Sequence, residues 1–253
     1  MLAATGRRLA AAGLVTGTSG NLSARRDGLI AVTPTGAALG ELTADMMTVI
    51  DSSGTVVDGR LAPTSEVPMH LAVYAATGTA AIAHTHAAGS TAIACTRDMI
   101  PLVHYAMLSL GGEIRVAPYA TFGTAELAAH VVAALTERQA ALMRNHGSIA
   151  IGDSVSEAAE NLELVEWCAD LYMRCVTLGE PRLLTVEDAA EFLRQVRATR
   201  YGGTRKLLAG PPTEQPGQYA RPRRHRHVPG ELVRPSHGAR SVSCRHRPRG
   251  ARR

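Results

Sequence analysis

The 253-residue sequence predicts a mixed α/β domain over residues 1–204, followed by a tail of different character. Three observations support this prediction. Short apolar segments of strand length alternate with longer segments of helical periodicity, and glycines separate them. A hydrophobic content of 45% is also sufficient for a sizeable core. We therefore expect a globular domain rather than a fibrous or disordered chain.

The elements follow in chain order from periodicity and from turn residues. Strands are expected near residues 29–33, 47–50, 80–85, 140–144 and 148–151. Helices are expected near residues 68–77, 90–95, 124–136, 154–178 and 186–201. Thr124 and Thr185 each precede acidic residues, and this order suits a helix N-terminus. Leu162, Val165 and Cys168 recur at helical spacing, so the long helix should bury one face.

The sequence favours a cytoplasmic protein that does not associate with membranes. No apolar run approaches the length of about 20 residues that a membrane helix needs. The stretch LAAAGLV after Arg7 and Arg8 is too short for a signal peptide. The four cysteines form no C-x-x-C pair, which fits a reducing compartment.

The charge is distributed unevenly along the chain. Of 27 Lys and Arg and 22 Asp and Glu residues, residues 205–253 contain 13 basic and two acidic ones, which leaves 14 against 20 in the remainder. This basic segment is rich in Pro, Arg and His and has no periodic apolar pattern, so we expect a disordered tail. A basic tail can bind nucleic acid, but without interleaved aromatic residues or zinc-finger spacing it does not predict that function. We consider two interpretations of this segment, a solvated extension and the product of a shifted reading frame.

Two histidines interrupt a run of small residues in TAAIAHTHAAGST, residues 79–91. On a strand, side chains at positions i and i+2 point to the same side, so His84 and His86 can bind one cation. Zinc enzymes usually add a third protein ligand and keep one position open. His146 is the best candidate, because Asn145-His146-Gly147 is a turn signal between two apolar strand-like segments. The alternatives are partly buried histidines satisfied by backbone groups and, for His146, a polar hairpin tip.

Glu66 lies in APTSEVPMH, directly before a predicted helix whose first turn suits Pro68. A carboxylate at such an entry loop is a candidate general acid or base. Glu66 and His70 are also spaced i and i+4, so a helical pair of metal ligands is a rival interpretation. We favour Glu66 as the acid or base and His70 as a residue packed within the helix. The remaining alternatives are an ordinary capping acid and a core histidine.

Three short stretches have the composition of an anion site. GTSGN, residues 17–21, has too many small polar residues and glycines for a core strand and resembles a nest of backbone N–H groups. The stretches TPTG, residues 33–36, and Thr64-Ser65 add hydroxyl groups. No G-K-[ST] follows, so this is not a nucleotide P-loop. Together the stretches predict a site for one phosphate bound without a lysine.

These motifs, taken in order, resemble those of a known family. GTSGNLSAR, TPTG, PTSEVPMHLAVY, HTH, PLVHYAML, APYATFGTAEL, RNHG and RYGG are similar to the motifs of the class II aldolase/adducin family, over roughly residues 9–203. Within the family they most resemble the branch that cleaves L-fuculose phosphate. The resemblance implies a three-layer α/β/α domain with a central, mostly antiparallel sheet. It also implies a cyclic homotetramer with active sites between neighbouring subunits.

The resemblance also implies a role for individual residues. His84, His86 and His146 would hold Zn²⁺, although another divalent metal is possible, and Glu66 would be the acid/base. Tyr105 would act on the aldehyde-side oxygen from across the subunit interface. The phosphate-binding positions are Asn21, Thr35, Gly36, Thr64 and Ser65, and Phe122 and Tyr201 line the aldehyde side of the pocket. Asn145 stands where histidine is frequent, and Thr64 stands where serine is common but retains a hydroxyl.

The implied activity is the reversible cleavage of a ketose 1-phosphate, such as L-fuculose 1-phosphate, to dihydroxyacetone phosphate and an aldehyde such as L-lactaldehyde. A pentulose-5-phosphate 4-epimerase and a methylthioribulose-phosphate dehydratase are alternatives within the family. Glu66 disfavours the epimerase, whose members usually have aspartate at that position. An adducin-like binding module without a catalytic metal is an alternative from a different class, but it would lack the histidine set.

Overall fold

The structure is a computed structural model, and it describes residues 1–199. The predictions for Tyr201 and for the tail, residues 205–253, lie outside the described residues. The helices are α1 (Leu2–Ala11), α2 (Val67–Thr77), α3 (Ala88–Thr96), α4 (Ala125–Ala134), α5 (Val155–Leu178) and α6 (Val186–Thr199). The strands are β1 (Asn21–Arg26), β2 (Leu29–Val32), β3 (Thr48–Ile50), β4 (Val56–Asp58), β5 (Ala81–Thr85), β6 (Met99–Ile100), β7 (Ile114–Ala117), β8 (Ala140–Met143) and β9 (Gly147–Gly152). No helix in this part of the chain is both long enough and apolar enough to cross a membrane.

Within residues 1–199 the strands form one nine-stranded sheet in the order β4-β3-β2-β1-β5-β9-β8-β7-β6. Neighbouring strands are antiparallel except for β7 and β8, which are parallel. The centre of the sheet is β5, which pairs with β1 on one side and with β9 on the other. Residues from three separate parts of the sequence therefore meet at the end of β5.

Helices cover the sheet on both faces. Residues of α1, α3 and α5 form one core with Ala81 and Ala83 of β5, whereas residues of α2 and α4 form a second core with Ile82. Alternate residues of β5 thus enter different cores, as the two-residue period of a strand requires. The arrangement confirms the mixed α/β fold with a mostly antiparallel sheet between two helical layers.

The predicted helices and strands all occur, with ends displaced by no more than a few residues, except that the predicted end of the last helix, residue 201, lies outside the described residues. Two predicted caps are present, since the Thr124 hydroxyl accepts the Leu127 N–H at 3.2 Å and the Thr185 hydroxyl accepts the Asp188 N–H at 3.1 Å. The sequence did not predict α1, β1, β4, β6 or β7. The exclusion of residues 17–21 from any core strand was wrong at its last position, because Asn21 is the buried first residue of β1.

Candidate metal centre and cleft

Pairing of the central strands brings the three predicted histidines together. His84 lies within β5, and His86 follows the end of that strand directly before α3. Thr85 pairs with Ser148 of β9, and His146 lies in the tight turn that enters β9. Asn145, at φ 54°, has the left-handed conformation that this turn requires. The local period of two and a non-local strand pairing together create the cluster.

The three imidazoles are close enough to share one ion. One ring nitrogen from each of His84, His86 and His146 lies within 4.8 Å of the others. The Nε2 atoms of His84 and His86 are 3.0 Å apart. Nδ1 of His84 faces the Ser148 carbonyl oxygen at 2.8 Å and must donate a hydrogen to it, because a carbonyl only accepts. In a neutral His84, Nε2 then carries no hydrogen, and its lone pair is directed into the cluster.

Glu66 reaches the three histidines from a separate part of the chain. It occupies the residue before α2, but its side chain does not cap that helix. Its Oε2 is 3.1 Å from Nε2 of His84, and its Oε1 is 3.4 Å from Nε2 of His146. Asn21 donates to Oε2 at 2.7 Å. Within the described part of the chain, Oε1 is buried and has no hydrogen-bond partner.

The electrostatics favour an ionised carboxylate among mostly neutral imidazoles. Burial acts to raise the pKa of Glu66, but His84, His146 and the Asn21 hydrogen bond outweigh it and hold the pKa well below its usual range. Burial and the neighbouring histidines lower the pKa values of His86 and His146 to about 4. For His84 burial acts to lower the pKa, but the Glu66 carboxylate outweighs it and raises the pKa.

These residues fit a bound divalent cation. Imidazole nitrogen and carboxylate oxygen are ordinary ligands for zinc and related ions. Without a cation, the lone pair on Nε2 of His84 would face the carboxylate Oε2 at 3.1 Å unless His84 were protonated. The unpaired, buried Oε1 has the same need for a positive partner. The donor set and the orphaned oxygen therefore agree with a metal site.

His70 is not part of this cluster, so the rival interpretation of a Glu66–His70 metal pair was wrong. Both its ring nitrogens have hydrogen-bond partners, Ser23 at 2.6 Å and Asn21 at 2.5 Å. The ring is fully buried, and burial lowers its pKa to about 4. His70 packs within the helix as predicted.

The three-histidine cluster opens into a cleft of about 340 Å³ that is also lined by the predicted phosphate residues. Of the predicted residues, Asn21, Thr35, Gly36, Thr64, Ser65, Glu66, His86, His146 and Phe122 line this cleft. Thr33 does not, because its hydroxyl is buried and accepts the Leu22 N–H at 3.1 Å. The lining contributed by residues 1–199 contains no Lys or Arg. Thr18, Ser19, Thr35, Thr64 and Ser65 contribute hydroxyl-bearing side chains to this lining, and the phosphate site stays a prediction.

Sequence reasoning missed some of the lining and predicted one residue that lies elsewhere. Tyr119 was not singled out, although it precedes Phe122 in the quoted motif APYATFGTAEL and lines the same cleft. Both rings are more than half exposed. Tyr105 does not line the cleft of its own chain; it begins a 3₁₀ helix and packs near Phe192 of α6. Tyr105 is predicted to act in the site of a neighbouring subunit, and this role stays a prediction.

Comparisons with known proteins agree with this geometry. The model of the family "Class II Aldolase and Adducin N-terminal domain" matches residues 1–173. The chain belongs to this family. A curated relative, the 5-methylthioribulose-1-phosphate/5-deoxyribulose-1-phosphate aldolase of Rhodospirillum rubrum, is 38% identical over 81% of this chain and 92% of its own length. The L-fuculose phosphate aldolase of Escherichia coli is 39% identical over 73% of this chain and 87% of its own length.

A solved structure supports the same assignment of the fold. The structure of an L-fuculose 1-phosphate aldolase matches with a TM-score of 0.74 and 36% identity, over 78% of this chain and 94% of that chain. The class II aldolase fold is therefore confirmed. Because the chain belongs to this family and its named relatives are aldolases, it is an enzyme of the lyase class.

Proposed function

We propose that this class II aldolase is a zinc enzyme that reversibly cleaves a ketose 1-phosphate to dihydroxyacetone phosphate and an aldehyde. The observation that carries the proposal is the Glu66 carboxylate, whose unpaired Oε1 lies beside a three-histidine cluster in a cleft lined with hydroxyl groups. Residues that could hold a metal, a carboxylate suited to acid/base chemistry and hydroxyl groups suited to an anion lie around one cleft. A metal-assisted retro-aldol reaction on a phosphorylated ketose uses all three.

The residues divide the work of the reaction. Thr35, Gly36 and Ser65, with Asn21 and Thr64 behind them, would bind and orient the phosphate without a cationic side chain. A divalent cation held by His84, His86 and His146 would supply a Lewis acid for the negative charge that develops when the carbon–carbon bond breaks.

Glu66 would transfer the proton at the carbon that becomes the hydroxymethyl carbon of dihydroxyacetone phosphate. Its Oε1 is the suitable atom, because Oε2 already accepts a hydrogen bond from Asn21.

Further parts of the proposal extend beyond one chain. Tyr105 would protonate or deprotonate the aldehyde oxygen in the site of a neighbouring subunit, so the active form would be a homotetramer. The exposure of Tyr105 on the surface of a single chain is consistent with that role. Phe122 and Tyr201 would line the aldehyde side of the pocket. A cytoplasmic location would give the enzyme access to sugar phosphates.

Different relatives favour different substrates. The E. coli relative is named for L-fuculose phosphate, and the R. rubrum relative is named for 5-methylthioribulose 1-phosphate and 5-deoxyribulose 1-phosphate. Tyr119 and Phe122, both more than half exposed at the cleft, offer apolar surface to the end of the aldehyde, which suits a methyl or thioether group. Differences of this size change binding modestly, so activity on both kinds of ketose 1-phosphate is expected.

The experiment that tests the proposal follows product formation by NMR with zinc-loaded protein and three candidate substrates: L-fuculose 1-phosphate, 5-deoxyribulose 1-phosphate and 5-methylthioribulose 1-phosphate. Appearance of dihydroxyacetone phosphate with the matching aldehyde supports the aldolase. Dehydration of methylthioribulose phosphate without cleavage would support the dehydratase instead, and an inverted pentulose 5-phosphate in a parallel sample would support the epimerase. A protein that binds no metal and converts none of these compounds would support the adducin-like module.

A further inference from the structure

A row of buried, hydrogen-bonded polar side chains runs from Glu66 between β1 and α2. It consists of Asn21, His70, Ser23 and Tyr74. Tyr74 Oη is 2.7 Å from Ser23 Oγ, which is 2.6 Å from Nδ1 of His70. Nε2 of His70 is 2.5 Å from Oδ1 of Asn21, and Nδ2 of Asn21 is 2.7 Å from Oε2 of Glu66. Asn21 and Ser23 alternate on β1, and His70 and Tyr74 lie one helical turn apart on α2.

The chemistry of each group fixes the direction of every hydrogen bond in the row. An ionised carboxylate only accepts, so Asn21 must present its NH₂ to Glu66 and its oxygen to His70. Nε2 of His70 must then carry a hydrogen, and Nδ1 of the neutral ring must accept one from the Ser23 hydroxyl. Tyr74 in turn must donate to Ser23. Every donor therefore points toward Glu66.

The row is closed to solvent along its length. Ser23 and His70 are completely buried, and Tyr74 and Asn21 are 3% and 5% exposed. The far end is held by Arg25, whose guanidinium lies 4.9 Å from the centre of the Tyr74 ring and donates to the carbonyl oxygens of Tyr74 and Thr79. Buried polar groups cost free energy unless each is paired, and apolar residues would fill this space at lower cost. The polar row is thus a feature that simple packing of β1 on α2 does not require.

We infer that His70 is a positioning residue for the proposed reaction: through Asn21 it holds Oε2 of Glu66 in place and leaves Oε1 as the atom that transfers the proton. The inference rests on the proposed function in that Glu66 is the acid/base. It also gives the Asn21 side chain a task at Glu66 in addition to its proposed place at the phosphate: one N–H of its amide donates to Oε2 and its oxygen accepts from His70, which leaves the second N–H for the phosphate. Loss of His70 lets the Asn21 amide rotate and removes the donor that orients Glu66.

The kinetic test compares two variants of His70 with a control on the same helix. His70→Gln can keep an N–H donor near the position of Nε2, whereas His70→Leu removes both ring nitrogens. We expect His70→Leu to lower kcat by about 10- to 100-fold with little change in KM, and His70→Gln to stay within about threefold of wild type. Val73→Ala is the control, because Val73 is completely buried in α2 and has no part in the row. It should lose stability but not kcat.

The same assay applied to Asn21→Ala separates positioning from phosphate binding. A fall in kcat supports the inference, with or without a rise in KM. A rise in KM at constant kcat would assign the side chain to the phosphate alone and overturn it. Equal kcat losses in His70→Leu and Val73→Ala, at matched fractions of folded protein, would reduce His70 to a packing residue and also overturn the inference.

A spectroscopic readout keeps the inference testable if the aldolase proposal fails. Nitrogen-15 NMR of the histidine rings, with the His70 signals assigned by their loss in His70→Gln, reports which ring nitrogen carries the hydrogen. The inference requires a neutral His70 with hydrogen on Nε2 and none on Nδ1. Hydrogen on Nδ1 would reverse the row and contradict the inference. An inactive protein with the Nε2–H form would refute only the proposed reaction.

Discussion

Replacement of Gly147 by alanine should damage the metal centre without any change to a ligand. Gly147 follows His146 and begins β9, beside the end of β5. A Cβ atom at this position would lie 2.4 Å from the Thr85 carbonyl oxygen and 2.8 Å from Cδ2 of His86. The first distance is 0.6 Å shorter than 3.0 Å, below which Cβ contacts essentially do not occur in proteins. The neighbouring atom is the Thr85 carbonyl oxygen, which belongs to the backbone and cannot rotate away as a side chain could. Either β5 or the turn containing His146 must therefore move.

The expected magnitude follows from this overlap. Overpacking of this kind costs about 1–3 kcal/mol of unfolding free energy. Because the displaced groups are the ring of His86 and its supporting strand, zinc affinity should also fall, by about 10- to 100-fold. Urea denaturation of the metal-free protein measures the first quantity, and competition with a chromophoric chelator measures the second.

Gly152→Ala provides the matched control at the other end of β9. Its Cβ would lie 2.7 Å from the backbone nitrogen of Ala158 in α5, far along the strand from the histidines. We expect a comparable loss of stability with unchanged zinc affinity. If Gly147→Ala bound zinc as tightly as wild type, or if both variants lost affinity equally, the argument that this close contact shapes the metal centre would be refuted.

Three further predictions concern acid stability, phosphate binding and the metal. Burial lowers the pKa of His70 from 6.5 to about 4, so the unfolded state binds a proton more readily than the folded state in this range. The free energy of unfolding should therefore fall by about 3 kcal/mol as the pH falls from 6.5 to 4. Urea denaturation at pH 7 and at pH 4 should show a smaller loss in His70→Gln than in wild type. Thr35→Ala or Ser65→Ala should raise KM for the ketose phosphate by about tenfold with kcat little changed, in a steady-state assay. Removal of metal by a chelator should abolish cleavage, and Zn²⁺ should restore it and raise the melting temperature.

Each of these predictions has an outcome that contradicts it. An identical pH dependence in His70→Gln would mean that His70 is not the buried group that resists protonation. A lower kcat at unchanged KM in Thr35→Ala or Ser65→Ala would remove these hydroxyls from ground-state phosphate binding. Full cleavage by protein shown to be free of metal would exclude the three-histidine cluster from the reaction.

The sequence predicted the three histidines of the candidate metal centre because their signal is largely local. His84 lies in β5 and His86 lies two residues further, just after the strand ends, and His146 lies in a short turn with recognisable residues. Their meeting depends on β5 pairing with β9, a non-local pairing that the periodicity of the two segments does not specify. The implied phosphate residues also entered one cleft, since each stretch borders a turn at the same end of the sheet.

The sequence missed β1 because its polar alternation has an unusual cause. Asn21, Ser23 and Arg25 face α2, whereas Leu22 faces the core formed with α1, α3 and α5. Alternating polar residues normally point to solvent, but here they enter a buried hydrogen-bonded row. Their partners lie more than 40 residues away, on α2 or directly before it, and no local pattern encodes such distant pairing.

The most direct test of the central claim is the rate at which zinc-reconstituted wild-type protein releases dihydroxyacetone phosphate from L-fuculose 1-phosphate or 5-deoxyribulose 1-phosphate, compared with Glu66→Gln. The account predicts zinc-dependent release by wild type. It predicts a kcat lower by about 10²- to 10⁴-fold in the variant, because the amide cannot accept the proton. Release that is undiminished in Glu66→Gln with zinc bound would contradict the account.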